Sequence, residues 1–476
     1  MISKLTIIHT NDTHSRVRGN EGEIGFAKLQ TLVSVLRALN PNTLLLDAGD
    51  TVHGMPISTL FRGESIIQLM NHLGYDAMTA GNHDFGYGWR QLQALNVQAN
   101  FPILAANITA DGSPILGNVH RFEFEGIKGA VIGVTATETM IKAHPKNIEG
   151  LQFCDPAIEV KKLVDELCPQ VGIIIVLSHL GTEHASIHTS GRLISEVPGI
   201  DLLIDGHSHD LYANGVQVNQ TLKVSAFEYL KHIGMVELWI DRGTVVSAQA
   251  RTISAEDASI IPPDRDVEKL IEAYEKKAEA KMNQVIGHTS VTLNGERHQV
   301  RTGETNLGNL STDVLRTLTG ADVVLINGGT IRGSIDQGDI TMADIHRVLP
   351  FNDNNVVMKE VSGETLKAAL EHGISQYPEH LAAFPQLSGL TFVFDPKQPS
   401  GNRVLEVKIG NEPLRVEGTY LLATKDFTAA GGDGYAMLKD CPKVAEYMSL
   451  SAALVDYLQQ HQTVAPTLDG RIKEVD

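Results

Sequence analysis

The chain has 476 residues, too many for one ordinary hydrophobic core, so two or three domains are expected. Hydrophobic residues make up 42% and charged residues 20%, an ordinary globular balance that excludes a largely disordered chain. The formal net charge of −18 argues against nucleic acid or an anionic membrane surface as a partner, and still admits a small anionic ligand wherever bound cations offset the charge.

The N-terminal apolar run, residues 5–8, is too short for a secretory leader. No segment approaches eighteen apolar residues, so no membrane partner is expected. As it stands the sequence reads as cytoplasmic, or as periplasmic or extracellular if a leader has been removed. Cys154, Cys168 and Cys441 form no CxxC and read as small buried hydrophobes.

In chain order, short β-branched or leucine-rich runs fall at residues 5–8, 43–46, 76–79, 130–134, 171–177 and 202–204. They read as strands buried on both faces. Helical spacing fills residues 26–39 and 157–167 between them, and this alternation predicts an α/β sheet layered with helices. At Pro262-Pro263-Asp264 the texture changes, and Val267, Leu270, Ile271 and Tyr274 repeat at helical spacing. A first domain over residues 1–262, a connecting helix over 263–286 and a second α/β domain over 287–476 follow from this.

All but one of the first-domain runs end in metal-ligand residue types. They deliver Asp12-Thr13-His14, Asp47-Ala48-Gly49-Asp50, Gly81-Asn82-His83-Asp84, Ser178-His179 and Asp205-Gly206-His207-Ser208-His209. In layered α/β folds, ligands bind beyond the carboxyl ends of strands. Two divalent ions need a bridging carboxylate with further oxygen and nitrogen donors, and Asp, Asn and His supply them. Glycines ahead of Asp50, Asn82 and His207 are expected to let the backbone turn sharply there. Any one of these strings alone is more often a turn or a cap; all five in this order are not.

With those motifs the sequence resembles the metallophosphoesterase superfamily, and within it the 5′-nucleotidase family, which also contains UDP-sugar hydrolases and 2′,3′-cyclic-nucleotide phosphodiesterases. The resemblance implies a layered α/β/β/α metallophosphoesterase domain followed by an α/β nucleotide-binding domain. It implies one metal held by Asp12, His14, Asp50 and His209, and a second by Asp50, Asn82, His179 and His207. Some members carry Gln or Asn where this chain has His209. The extra imidazole suits Zn, Mn, Co or Fe better than Mg or Ca. His83 matches the catalytic histidine. The carboxylate that usually orients it three residues on is Gly86 here, so Asp84 or a group from elsewhere must serve.

Glycine-rich loops of the second half carry Arg301, Asn327, Arg332, Phe351, Asn352, Phe427 and Asp433. Arginine reads phosphate through a two-pronged contact, two aromatic faces can hold a flat base, and a carboxylate can accept from both ribose hydroxyls. By the resemblance, Arg301 and Arg332 contact phosphate, Phe351 and Phe427 clamp the base, and Asp433 holds the ribose, with Asn327 and Asn352 beside them. In that family the second domain rotates to carry the substrate to the metals. The implied activity is hydrolysis of a nucleotide phosphoester, a nucleoside 5′-monophosphate first, with UDP-sugars and cyclic nucleotides as alternatives. A silent nucleotide-binding protein is the alternative that Gly86 suggests.

Overall fold

Leu44, Leu45 and Leu46 are fully buried, and so are all seven residues of Ile173–His179, so these segments form strands covered on both faces. Burial contributes about 1.5–3 kcal/mol for each such Leu or Ile side chain. The computed structural model describes residues 2–20, 22–124, 126–143, 147–182, 188–350 and 355–475, with the side chains of residues 141 and 142 left out. The chain divides into two units, Met1–Ala278 and Glu279–Asp476, at a boundary inside the helix Arg265–Met282.

The first unit holds two six-stranded sheets. One runs in the order Thr244–Ser254, His232–Asp241, Ser3–Thr10, Thr43–Asp47, Ala77–Thr79, Ile103–Leu104. The other runs Val216–Val218, Thr221–Val224, Leu202–Asp205, Ile173–His179, Ile127–Thr135, Val119–Phe124. Leu5, Ile7, Leu44 and Leu46 of the first sheet share one core with Val131, Ile175, Leu177 and Ile204 of the second. Helix Phe26–Leu39 packs outside the first sheet, and Pro156–Leu167 outside the second. The result is the expected α/β/β/α layering. Pro156–Leu167 starts where its sequence signals a start, with Asp155 accepting from Ala157 N at 2.9 Å and Pro at the first turn. Helix Arg265–Met282 begins beside Asp264, which accepts from Asp266 N and Val267 N at 3.0 Å each. Its apolar stripe, Val267, Leu270, Ile271 and Tyr274, packs onto the first unit's core.

The second unit is built on a five-stranded mixed sheet, Pro385–Ser388, Val323–Asn327, Thr419–Lys425, Asn355–Ser362, Lys443–Ser449. Helices Asn306–Thr319 and Leu450–His461 cover one face, and Gly363–Gly373 the other. One expectation fails: none of the three cysteines is buried, and Cys168 is exposed. Cys168 follows the last turn of Pro156–Leu167, where a helix leaves the core, so its position on the helix outweighs its hydrophobicity. Among the described residues no helix is long and apolar enough to cross a membrane.

Candidate functional site

Strands Ser3–Thr10, Thr43–Asp47 and Ala77–Thr79 run parallel, as do Ile173–His179 and Leu202–Asp205 in the other sheet. Their carboxyl ends converge on one edge. Asp12, His14 and His209 bring ligand atoms within 4.8 Å of one another, and so do Asp50, His179 and His207. Asp50 Oδ2 lies 3.1 Å from His179 Nε2 and 4.0 Å from His14 Nε2, so its carboxylate stands between the two groups. His209 Nε2 is 3.5 Å from Asp12 Oδ1.

Backbone shape separates these loops from ordinary turns. Asp12, His14, Asp50, His207 and His209 all have positive φ, between 45° and 79°. Non-glycine residues seldom adopt that region, and they cluster there at functional sites. The adjacent glycines serve two purposes. Gly49 turns the chain, at φ 94°. Gly81 and Gly206 do not have positive φ, which corrects the sharp-turn expectation for both. They are needed for close approach: a Cβ on Gly81 would lie 2.1 Å from Asp50 Oδ1, and one on Gly206 2.9 Å from both Asp12 Oδ2 and His179 Nδ1.

His14 Nε2, His179 Nε2 and Asn82 Oδ1 are buried without a hydrogen-bond partner. Buried polar atoms left unpaired are costly and therefore rare. His179 Nε2 comes within 3.1 Å of Asp50 Oδ2, close enough for both atoms to ligate one cation. Burial pushes the Asp50 carboxyl up, but His179, His83 and His14 outweigh it and hold it well below the usual carboxylate range. Four imidazoles and two buried carboxylates with orphaned donor atoms fit a divalent cation site.

The outer contacts orient the rings. His179 Nδ1 meets Ala48 O at 2.7 Å, which turns Nε2 toward Asp50. His209 Nδ1 meets Glu228 Oε2 at 2.8 Å, and Lys231 holds Glu228 at 2.7 Å. Sequence reading missed Glu228, which lies between the strands Thr221–Val224 and His232–Asp241 without a motif. Replacing Glu228 with Ala is expected to weaken metal binding about 10–100-fold, measured by titration of the metal-free protein. Unchanged affinity would show that Glu228 does not orient His209.

Asp84 departs from expectation. It is buried, and its carboxylate accepts from the backbone N–H of Asp50, Thr51, Val52 and Gly81 at 2.8–3.0 Å. All its bonding in the structure goes to the backbone, so it is a brace for the metal-site loops and no orienter of His83. Burial, then the nearby Asp50, pushes its carboxyl up to about 6. His83 donates its backbone N–H to Asp50 Oδ1 at 2.8 Å, and its ring stands 5.1 Å from that of His14. Its ring also falls within ligand reach of His14 and Asp50, at the rim of the site.

In the second unit, the parallel strands Val323–Asn327 and Thr419–Lys425 deliver Asn327 and Asp426-Phe427 at one edge. Asn327 Nδ2 donates to Asp433 Oδ2 at 2.6 Å and Thr330 supports Asn327 Oδ1 at 2.6 Å, so two expected site residues meet directly. Phe427 is 45% exposed, an unusual state for a large aromatic ring on a folded surface, and lies over Gly432, whose Cβ would clash at 2.5 Å. Arg301 Nε is buried without a partner. Burial, then the nearby Arg297 and Arg332, push the Arg301 guanidinium down, while Asp433 opposes them, so these charges are neighbours. Arg297 was missed; its position four residues before Arg301 was the available signal. Phe351 and Asn352 lie outside the described residues.

Residues 5–211 match the calcineurin-like phosphoesterase family, and residues 285–440 match the 5′-nucleotidase C-terminal domain. Human 5′-nucleotidase is 30% identical over 99% of this chain and 91% of its own length. The trifunctional nucleotide phosphoesterase protein of Bacillus subtilis is 32% identical over 99% of this chain, which spans only 35% of that protein. The crystal structure of a 5′-nucleotidase precursor from Thermus thermophilus is 32% identical, with a TM-score of 0.59 over 100% of both chains. Fold and site thus define a calcineurin-like phosphoesterase, a class whose chemistry depends on divalent metal ions. The chain belongs to the 5′-nucleotidase family, as a hydrolase of phosphoester bonds.

Proposed function

We propose that this protein hydrolyses nucleoside 5′-monophosphates to nucleoside and phosphate, with two divalent ions drawn from Zn, Mn, Co and Fe. The observation that carries the reading is the set of orphaned donors, His14 Nε2, His179 Nε2 and Asn82 Oδ1, around Asp50. One ion is assigned to Asp12, His14, Asp50 and His209, and the other to Asp50, Asn82, His179 and His207. Bound there, the ions supply a nucleophile at neutral pH and neutralise charge on the phosphoryl oxygens.

The chain's own residues do the rest. His83 donates to the charge that develops on the phosphoryl or leaving oxygen. Arg301 and Arg332, with Arg297 beside them, read the phosphate. Phe427 and Phe351 take the two faces of the base, and Asn352 is a further candidate contact to the substrate. Asp433, steadied by Asn327, accepts from the ribose hydroxyls. Most of the catalysis is then positioning and electrostatics. The candidate ligand groups around Asp50 argue against a silent binding protein.

Phosphate release from AMP, lost with chelator and restored by metal, tests the reading, beside UDP-glucose and 2′,3′-cyclic AMP. Faster turnover of either comparison substrate would reassign the substrate class. Phe427→Ala is expected to lower kcat/KM for AMP far more than for a small aryl phosphate, because a stack on the base contributes about 1–3 kcal/mol and leaves phosphorus untouched. Equal losses on both substrates would make Phe427 a packing residue.

A further inference from the structure

The carboxylate that the family places three residues after its catalytic histidine is absent here, because position 86 is Gly. The space is filled from elsewhere. A Cβ on Gly86 would lie 2.5 Å from His53 Cδ2, 2.9 Å from its Nε2 and 3.1 Å from its Cγ. Gly86 does not have positive φ, so backbone conformation does not require glycine there; the ring of His53 does.

His53 is held in that space from three sides. Its ring stacks on that of His83 at 6.0 Å between centroids and 25° between planes. Tyr87 packs against it at 5.0 Å. The Gly86 backbone forms the third wall, and Asn147 Nδ2 fixes the Gly86 carbonyl at 2.8 Å. His83 itself is anchored through its backbone N–H to Asp50. His14 also meets the ring of His83, edge-on at 5.1 Å. The imidazole of His83 thus packs against the rings of His14 and His53, and position 86 offers it no carboxylate.

We infer that His53 is the positioning residue for His83, its flat ring replacing the missing carboxylate, and that His53 and Gly86 form an interdependent pair. The inference rests on the proposed role of His83. Offset aromatic packing at this separation orients a ring without fixing its proton, so His53 acts on the placement of His83 and leaves nucleotide binding alone. Its effect therefore falls on kcat and spares KM.

The test uses the full-length, metal-loaded protein and compares His53→Ala, His53→Phe, Gly86→Asp, the double variant His53→Ala/Gly86→Asp, and His83→Ala. Metal content, thermal midpoint, kcat and KM for AMP are measured for each. His53→Ala is expected to lower kcat about tenfold with KM and metal content unchanged, and His53→Phe, which keeps a flat ring, to recover most of that loss. Gly86→Asp alone is expected to lower kcat, since the new side chain displaces His53. The double variant is expected to exceed both single variants, because the carboxylate then has the vacated space. The inference is overturned if His53→Ala and His53→Phe both keep wild-type kcat while His83→Ala loses a hundredfold or more. It is equally overturned if the double variant is slower than either single one. Near-normal turnover by His83→Ala would instead remove the reading of His83 on which the inference rests. If His53→Ala does not fold, His53→Phe against Gly86→Asp and the double variant still decides the matter.

Discussion

Asp50→Asn is expected to abolish turnover and to lower bound metal to one ion per chain or none. Asp50 is buried, and its carboxylate stands between His179 on one side and His14 on the other. Two dications held on either side of Asp50 would repel each other strongly in a buried site, and the Asp50 charge would offset that repulsion. Asn keeps the shape and an acceptor oxygen, so the contact from His83 N to Oδ1 can survive. The metal-free variant should unfold below the metal-free parent, because the charge that His179, His83 and His14 favour is lost, and the metal-dependent rise in its midpoint should be much reduced. Elemental analysis, AMP turnover and thermal scans with and without metal check this together. Two ions at full occupancy in the variant would rule out the bridging assignment.

The second large effect is expected at Asp84, with a different signature. Asp84→Ala removes the acceptor for four backbone N–H groups, from Asp50, Thr51, Val52 and Gly81. These donors belong to the loops that carry Asp50 and Asn82, and the site is too buried for water to replace the carboxylate freely. Each unsatisfied buried donor costs about 1–3 kcal/mol, so a loss of about 3 kcal/mol or more in stability is expected even after relaxation. Denaturant unfolding of the metal-free protein should show it directly. Activity should fall through weakened metal binding and recover in part when metal is raised. A variant of unchanged stability but lost kcat at saturating metal would return Asp84 to a catalytic role.

The candidate metal site was legible in the sequence for a specific reason. Asp12, His14, Asp50, Asn82, His179, His207 and His209 each lie within a few residues of a strand end, or at it, and strands buried on both faces announce themselves as short apolar runs. Local order along the chain is then enough to foresee that ligands gather on one edge. The alternation announced a sheet layered with helices; the two-sheet layering of the first unit came only with the family resemblance. In the second unit, Asn327 and Asp433 were legible as loop residues, but their direct bond, across |i−j| of 106 residues, was not.

What tertiary structure alone decided are the pairings between distant segments. Glu228 reaches His209 from a loop without a motif, and nothing near it in sequence marks a ligand. Asp84 looked like the acid next to a catalytic histidine; only the count of backbone donors around its carboxylate gave it another job. Gly81 and Gly206 looked like turn residues, and only the atoms that a Cβ would strike revealed that close approach is what they provide. Gly86 read as a missing orienter, and the structure put the ring of His53 in its space, 33 positions away in sequence. Sequence by itself determined which residue types stand at the strand ends, because strand periodicity and chain order are local properties. Which side chains fill the remaining space depends on how separate loops pack at a shared edge, and that is set only when the whole sheet is assembled.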